Sequence, residues 1–466
     1  MNRAGWVACA AATLLGGCMS LAPKYERPAA PVPDRFAEDT APANGPVASV
    51  LEWQSFFGDE RLKRLIGVAL ANNRDLRIAA LNIEQARALY DVRRADAWPT
   101  VGIGASGSRQ PNSNRSVGGI TSVYTVGLAV TAYELDFFGR IRSLSDAALA
   151  QYLATDEARK TAQISLIAAV ATTYLSLLAD EDLLRVTQQT LATREESLKL
   201  TKLKFDQGVV SEIDFRQAES LYQAARVALA QQTRQRAQDE NALALLLGQP
   251  VPADLPAGLA LTSQQMVADL PAGVPSEVLA RRPDVRAAEQ QLIAANANIG
   301  AARAAFFPKI TLTGSVGSAS AELSGLFKSG SFAWTFAPQA LLPIFDAGRN
   351  RANLDVAKLS RDIAVAQYER AIQSAFREVS DALAGRATLV DQLQAQEAQT
   401  RAEEARYQLA DLRYRNGAAS YLDVLDAQRA FFTAQQALVQ TQALQMQSLV
   451  TLYKVLGGGW SDASAR

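Results

Sequence analysis

The chain contains no histidine. The commonest general base and metal ligand is missing, so a histidine-dependent triad or a His-ligated zinc site is impossible. The only cysteines, Cys9 and Cys18, stand at the extreme N-terminus, which excludes a disulfide framework in the body. No sign of charge prevails: 47 Lys and Arg balance 47 Asp and Glu, so no net field points to nucleic acid or a polyanion. Beyond Met19, methionine occurs only at Met266 and Met446, too few for a methionine-lined metal pathway. Proline is absent from 140–249 and again from 349 to the last residue. Such stretches permit very long helices, because proline both removes a backbone donor and clashes with the preceding turn. No P-loop and no catalytic constellation is present, so neither an enzyme nor a resident cofactor is expected.

The first twenty residues, MNRAGWVACAAATLLGGCMS, have the layout of a secretory signal: Arg3, an apolar run, then small residues. Leu15-Gly16-Gly17-Cys18 resembles a bacterial lipobox. It implies a signal peptide over 1–17 and a covalent lipid on Cys18, against an ordinary signal with a chance cysteine. An acyl anchor holds a protein on a membrane without spanning it.

One spacing organises the rest. Leu203, Phe205, Gly208, Ser211 and Asp214 return as Leu412, Tyr414, Gly417, Ser420 and Asp423, each 209 positions later. Trp98-Pro99 likewise matches Phe307-Pro308, Gly139-Arg140 matches Gly348-Arg349, and Leu247-Gly248 matches Leu456-Gly457. The body is a tandem duplication. Repeat 1 covers 59–250 and repeat 2 covers 275–457. They follow an extended segment, 18–58, are separated by a Pro-rich linker, 251–274, and end in a tail, 458–466.

Each repeat opens with a helical stretch (59–97, and its relative 275–307) that Pro99 or Pro308 stops. The apolar period then changes from 3.6 to 2, predicting β-hairpins over 99–136 and 308–346. Val101 and Ile103 alternate with Gly102 and Gly104, as Phe332, Trp334 and Phe336 alternate with smaller residues. Long helices over 139–205 and 348–413 follow, about 65 residues or ~100 Å at the usual helical rise. Leu177, Leu184, Leu191, Leu198 and Phe205 recur every seven residues, the spacing of a packed supercoil seam. A turn and second helices, 211–247 and 420–456, complete each repeat.

Two motifs are decoys. GIGASG (102–107) fits G-x-G-x-x-G, but no helix opens after it, so it reads as the small face of a strand. TAQISLIAAVATTYLSLLA (161–179) has the length of a membrane span. Its repeat relative, 370–388, carries several charges, so neither is expected to face lipid. Ser211-x-x-Asp214 and Ser420-x-x-Asp423 have the spacing of a helix-opening cap, and Asp214 and Asp423 are open to a functional role besides. Asp426 lies beyond the reach of capping.

Four strands cannot close a barrel, and open sheet edges are not tolerated in lipid. Closure requires several chains. Two chains give eight strands filled by side chains, and three give twelve, wide enough for a lumen.

PKYERP (23–28), WQSFFGDERL (53–62), YELDFFGRIR (133–142), LARRPDVRAAEQQLIAANANIGAARAAFFPKITL (279–312) and LPIFDAGR (342–349) resemble the outer membrane factors of the TolC type. The nearest branch is that of the lipoproteins typified by OprM and NodT. The resemblance implies a mainly α homotrimer: a 12-stranded β-barrel in the outer membrane, continuous with a 12-helix periplasmic α-barrel. Residues 18–58, the linker and the tail would form an equatorial belt. The implied function is the exit duct of a tripartite efflux system, working with a periplasmic membrane-fusion adaptor and an inner-membrane transporter of the RND class. A protein-secretion duct of the type I system and a coiled-coil lipoprotein scaffold are the alternatives. On the family pattern, Tyr414, Leu422, Asp423 and Asp426 match gate positions. Gly208, Ser211, Asp214, Gly417 and Ser420 match the tips that dock the adaptor. Ala419 stands where some members carry an arginine, so closure by Leu422 and Asp426 rings is expected rather than an ion-pair latch. Carboxylates confined in a ring oppose one another's ionisation and attract cations.

Overall fold

The computed structural model describes residues 20–36, 48, 51–111, 119–268, 270 and 280–460. The expected signal peptide and Cys18 lie outside these residues. So do parts of the 18–58 segment, of the linker and of the tail, and residues 275–279 of repeat 2. The chain divides into two compact units, and each repeat contributes to both. One contains the strands, drawing on Asn82–Asp156 and Ala287–Arg370 with the described residues up to Ala29. The other draws on Ala30–Leu81, Glu157–Arg286 and Ala371–Arg466.

In the first unit, β1 (Val101–Pro111), β2 (Ile120–Leu135), β3 (Lys309–Ser320) and β4 (Phe332–Leu341) form one antiparallel sheet in chain order. Each hairpin supplies two strands, and the hairpins join through β2 and β3. Period-2 alternation separates the faces. Ile103, Leu128, Val316 and Trp334 make one cross-strand row. The next row is Gly104, Gly127, Gly317 and Ala333. A Cβ built on Gly127 would lie 2.3 Å from the Val316 carbonyl oxygen, so β2 and β3 approach too closely there for any side chain. One face is thus bulky and apolar, the other small and polar. All four residues of the apolar row are exposed, with Ile103 at 82% and Trp334 at 69%. β1 and β4 remain as unpaired edges of the sheet.

A β-bulge between Val130 and Tyr133 places Ala132 at φ 52°. An extra residue in one strand reverses which side chains face where. Beyond the bulge, Tyr133 and Leu135 pair with Leu312 and Ile310 on the apolar face, while Glu134 pairs with Thr311 on the other. There Glu134 accepts from Arg140 at 2.7 and 2.6 Å and lies 3.1 Å from the Lys309 ammonium.

The stretch expected as one helix over 59–97 is two helices, α1 (Glu60–Asn72) and α2 (Arg74–Ala95). Asn73 breaks it with an extended backbone. Its side chain caps Leu76 N and donates to the Leu246 carbonyl at 2.9 Å. At the matching position Arg282 donates to the Val455 carbonyl at 3.0 Å. The duplication therefore survives as a repeated side-chain tether between different residue types. α3 (Arg140–Asp206) and α6 (Arg349–Arg415) have 67 residues each. α4 (Glu212–Leu247) and α7 (Tyr421–Val455) follow their turns, and α5 (Pro283–Ala304) opens repeat 2.

The core of the second unit gathers α1, the middle of α3 and the end of α7. Phe56 stacks on Tyr453 with ring centroids 4.0 Å apart. Leu62, Ile66, Val170 and Leu175 are fully buried, each contributing about 1.5–3 kcal/mol relative to an exposed state. The Asp59 carboxylate, 1% exposed, fastens the linker: it accepts from Tyr174 Oη, Leu259 N and Gln264 Nε2 at 3.1, 3.1 and 2.8 Å. α3 is long and apolar enough to cross a membrane by length and composition, yet half of its apolar window is buried. Ile167, Val170, Ala171 and Tyr174 are among its buried residues, which agrees with a packed element.

Candidate functional site: the two helical tips

Both tips use the same local chemistry. α3 ends at Gly208, φ 68°, where Gly208 N bonds Phe205 O and Val209 N bonds Lys204 O, each at 2.8 Å. α6 ends at Gly417, φ 73°, with Gly417 N on Tyr414 O at 2.9 Å and Ala418 N on Arg413 O at 2.8 Å. These paired bonds around a left-handed residue satisfy the last free carbonyls of a helix. Ser211 and Ser420 then open α4 and α7 with complete capping boxes. Asp214 Oδ2 accepts from Ser211 N at 3.1 Å, and Asp423 Oδ2 accepts from Ser420 N at 3.1 Å. Asp423, expected at the gate, is thereby engaged in its cap.

The structure brings the tips together within the second unit. Lys204 Nζ donates to Tyr414 Oη at 2.8 Å and sits 4.9 Å from its ring centroid. Tyr414 tilts against Tyr421, centroids 5.1 Å apart, and the Tyr421 hydroxyl bonds Ser197. Leu422 is 54% exposed, and Val209 and Ile213 at the first tip are more open still.

Asp426 is held by two arginines. Its Oδ2 lies 2.5 Å from Arg406 on α6, and its Oδ1 lies 2.5 Å from Arg429 one turn along α7. Arg429 and then Arg406 hold its carboxyl below the usual range. Arg406 also pairs with Glu403 at 3.1 Å. An ion-pair link between α6 and α7 therefore exists although position 419 is alanine, because the arginine comes from the helix rather than the turn. Arg429 was readable as an i,i+3 partner. Arg406, twenty residues upstream, was not.

Leu177 is buried, but Leu184, Leu191 and Leu198 are only half-buried. The deepest line of α3 toward the tip is Asp180, Thr187, Arg194 and Thr201, each 8% exposed or less. Several adjacent stripes of a helix share a seven-residue repeat, so the leucine line and this polar line run side by side. Asp180 Oδ2, Thr187 Oγ1 and Arg194 Nε, all on this line, have no hydrogen-bond partner among the described residues. Among the described residues no group of three or more acids or cysteines is arranged to hold a metal ion.

The model of the family "Outer membrane efflux protein" matches this chain twice, over residues 65–249 and 274–458, segments that keep the spacing of 209. The solvent efflux pump outer membrane protein SrpC of Pseudomonas putida is 52% identical over 459 residues, covering 96% of this chain and 97% of its own. Outer membrane protein OprJ of Pseudomonas aeruginosa is 46% identical, covering 97% and 95%. The open state of the Neisseria gonorrhoeae MtrE outer membrane channel superposes with a TM-score of 0.86 at 46% identity, covering 95% of this chain and 98% of that one. The fold is that of an outer membrane channel, a class of conduits rather than enzymes. This chain belongs to the outer membrane efflux protein family, and its place is the outer membrane.

Proposed function

We propose that three copies of this chain close into one hollow conduit that carries small molecules passively from a periplasmic pump to the exterior. The observation that carries this reading is the unfinished sheet. Four strands with a bare apolar face, a glycine-lined opposite face and two open edges satisfy neither water nor lipid alone. Joining β4 of one chain to β1 of the next removes every edge and places the apolar rows toward lipid. Relatives named for solvent, toluene and antibiotic efflux support a cargo of apolar and amphipathic small molecules.

The tips form the periplasmic closure. Leu422 supplies an apolar constriction, Tyr414 bridges to Lys204, and Asp426 latches α7 to α6 through Arg406. The exposed turn surfaces at Gly208, Ser211, Asp214, Gly417 and Ser420 receive a periplasmic adaptor, behind which an inner-membrane transporter of the RND class supplies the energy. A lipid on Cys18 adds a membrane anchor to the barrel. The test is planar-bilayer recording of the purified protein, with solvent and antibiotic susceptibility in a host lacking its own duct. Discrete ion-conducting steps and restored resistance are expected. A protein that inserts without conducting, or restores nothing beside a matching adaptor and pump, would refute the reading.

A further inference from the structure

Arg194 is 4% exposed and has no carboxylate partner among the described residues. A buried guanidinium without an acid is costly, and it persists only where its surroundings hold it. Here Nη1 donates to the Leu221 carbonyl on α4 at 3.0 Å, and the guanidinium lies 5.2 Å from the Phe432 ring centroid on α7. The Nε proton is unmatched. On α3 it lies between Leu191 and Leu198 on one side and Thr190 and Ser197 on the other.

Phe432, against which Arg194 lies, stands one turn along α7 from Arg429. Asp426, Arg429 and Phe432 recur every three residues on α7, so they lie along one side of that helix. Burial and then the charge of Arg429 disfavour the Arg194 cation. Repulsion between the two arginines is relieved when Arg429 reaches away toward Asp426, where the structure places it at 2.5 Å. One aspartate then serves two arginines, with Arg406 on its second oxygen. Being buried, the Arg194 charge is screened little by salt, unlike the exposed pairs it acts on.

We propose, resting on the tip as the duct's closure, that Arg194 is a positioning residue whose buried charge drives Arg429 onto Asp426 and so keeps the α6–α7 latch closed. It touches no cargo. Its effect passes through Asp426 alone, which separates it from a residue that merely packs.

The test is single-channel conductance of the assembled protein for the native chain, Arg194→Met, Arg194→Lys, Asp426→Asn and the double variant Arg194→Met/Asp426→Asn. Arg194→Met keeps the length of the side chain and removes its charge, and Arg194→Lys keeps the charge. Coupling within one ionic network is commonly worth roughly a two-fold change or more. Conductance is expected to rise about that much in Arg194→Met, return close to native in Arg194→Lys, and in the double variant match Asp426→Asn. Native conductance in Arg194→Met beside a raised Asp426→Asn would overturn the proposal, as would two effects that simply multiply in the double variant. No rise in Asp426→Asn would instead defeat the latch reading itself. Thermal unfolding of the same variants keeps loss of fold distinct from loss of closure: Arg194→Lys must unfold as the native chain does.

Discussion

The guanidinium of Arg406 lies 2.5 Å from the carboxylate of Asp426, joining the two helices of the second tip twenty residues apart in the chain. Both groups are substantially solvent-exposed, so the pair acts as a local fastening rather than a source of global stability. Asp426→Ala is expected to raise single-channel conductance and to make cells more permeable to large antibiotics, while the oligomer stays assembled. Arg406→Ala should do the same. Unchanged conductance in both would remove the latch.

Acid should release this latch only late. Arg429 and Arg406 depress the Asp426 pKa, so the contribution of the carboxylate is present above its ordinary titration and is lost as pH falls through the lowered value. Conductance is expected to be flat between about pH 7 and pH 5 and to increase only below ~4, the ordinary carboxylate range. A midpoint near neutrality would contradict the assignment.

Asp180 behaves oppositely. Burial first, and then the facing Asp239 on α4, push its carboxyl up to about 7; Arg236 on α4 works against this and Glu181 adds to it. A folded pKa above the unfolded one means that stability tied to the protonated carboxyl is lost as pH rises from the ordinary carboxylate range, about 4, to about 7. Asp180→Asn should therefore raise the unfolding temperature at pH 8 and change it little near about pH 3, below the ordinary carboxylate range. Equal effects at both pH values would show that the carboxyl is not desolvated.

Two glycines separate backbone need from space. At Gly417 nothing lies within 4 Å of a built Cβ, but φ is 73°. Gly417→Ala should cost about 1 kcal/mol, seen as faster hydrogen exchange confined to the second tip. At Gly127 the obstacle is the neighbouring strand itself. Gly127→Ala should abolish assembly in the membrane, whereas Gly104→Ala, with open space around it, should assemble normally.

The apolar row sets the lipid side. Trp334→Lys places a charge among exposed Ile103, Leu128 and Val316 and should reduce membrane insertion, at a cost of about 2–4 kcal/mol near the bilayer centre. Thr335→Lys, one residue on and facing the other way, should leave insertion intact while altering ion selectivity. The reverse pattern would invert the sheet.

Much of this was legible in the chain itself, since period and punctuation are local properties. Pro99 and Pro308 marked the passage from helix to strand, and Ser211-x-x-Asp214 with Ser420-x-x-Asp423 announced caps that the structure contains in full. The break at Asn73 escaped because asparagine is a weak helix breaker, and its tether lies 173 residues away at Leu246. The polar line through Asp180, Thr187, Arg194 and Thr201 escaped because leucines at the same repeat masked it. Arg406 escaped because its partner is distant in sequence, and the resemblance directed attention to position 419. Side-chain pairing across helices is decided by rotation about each axis, which heptad spacing constrains only to a few adjacent stripes.

The most direct measurement is the mass of the purified protein in a mild detergent, by native mass spectrometry, alongside conductance of the same preparation in a planar bilayer. Three chains per particle with discrete open steps are expected. A stable single chain that inserts without conducting would contradict the three-chain conduit.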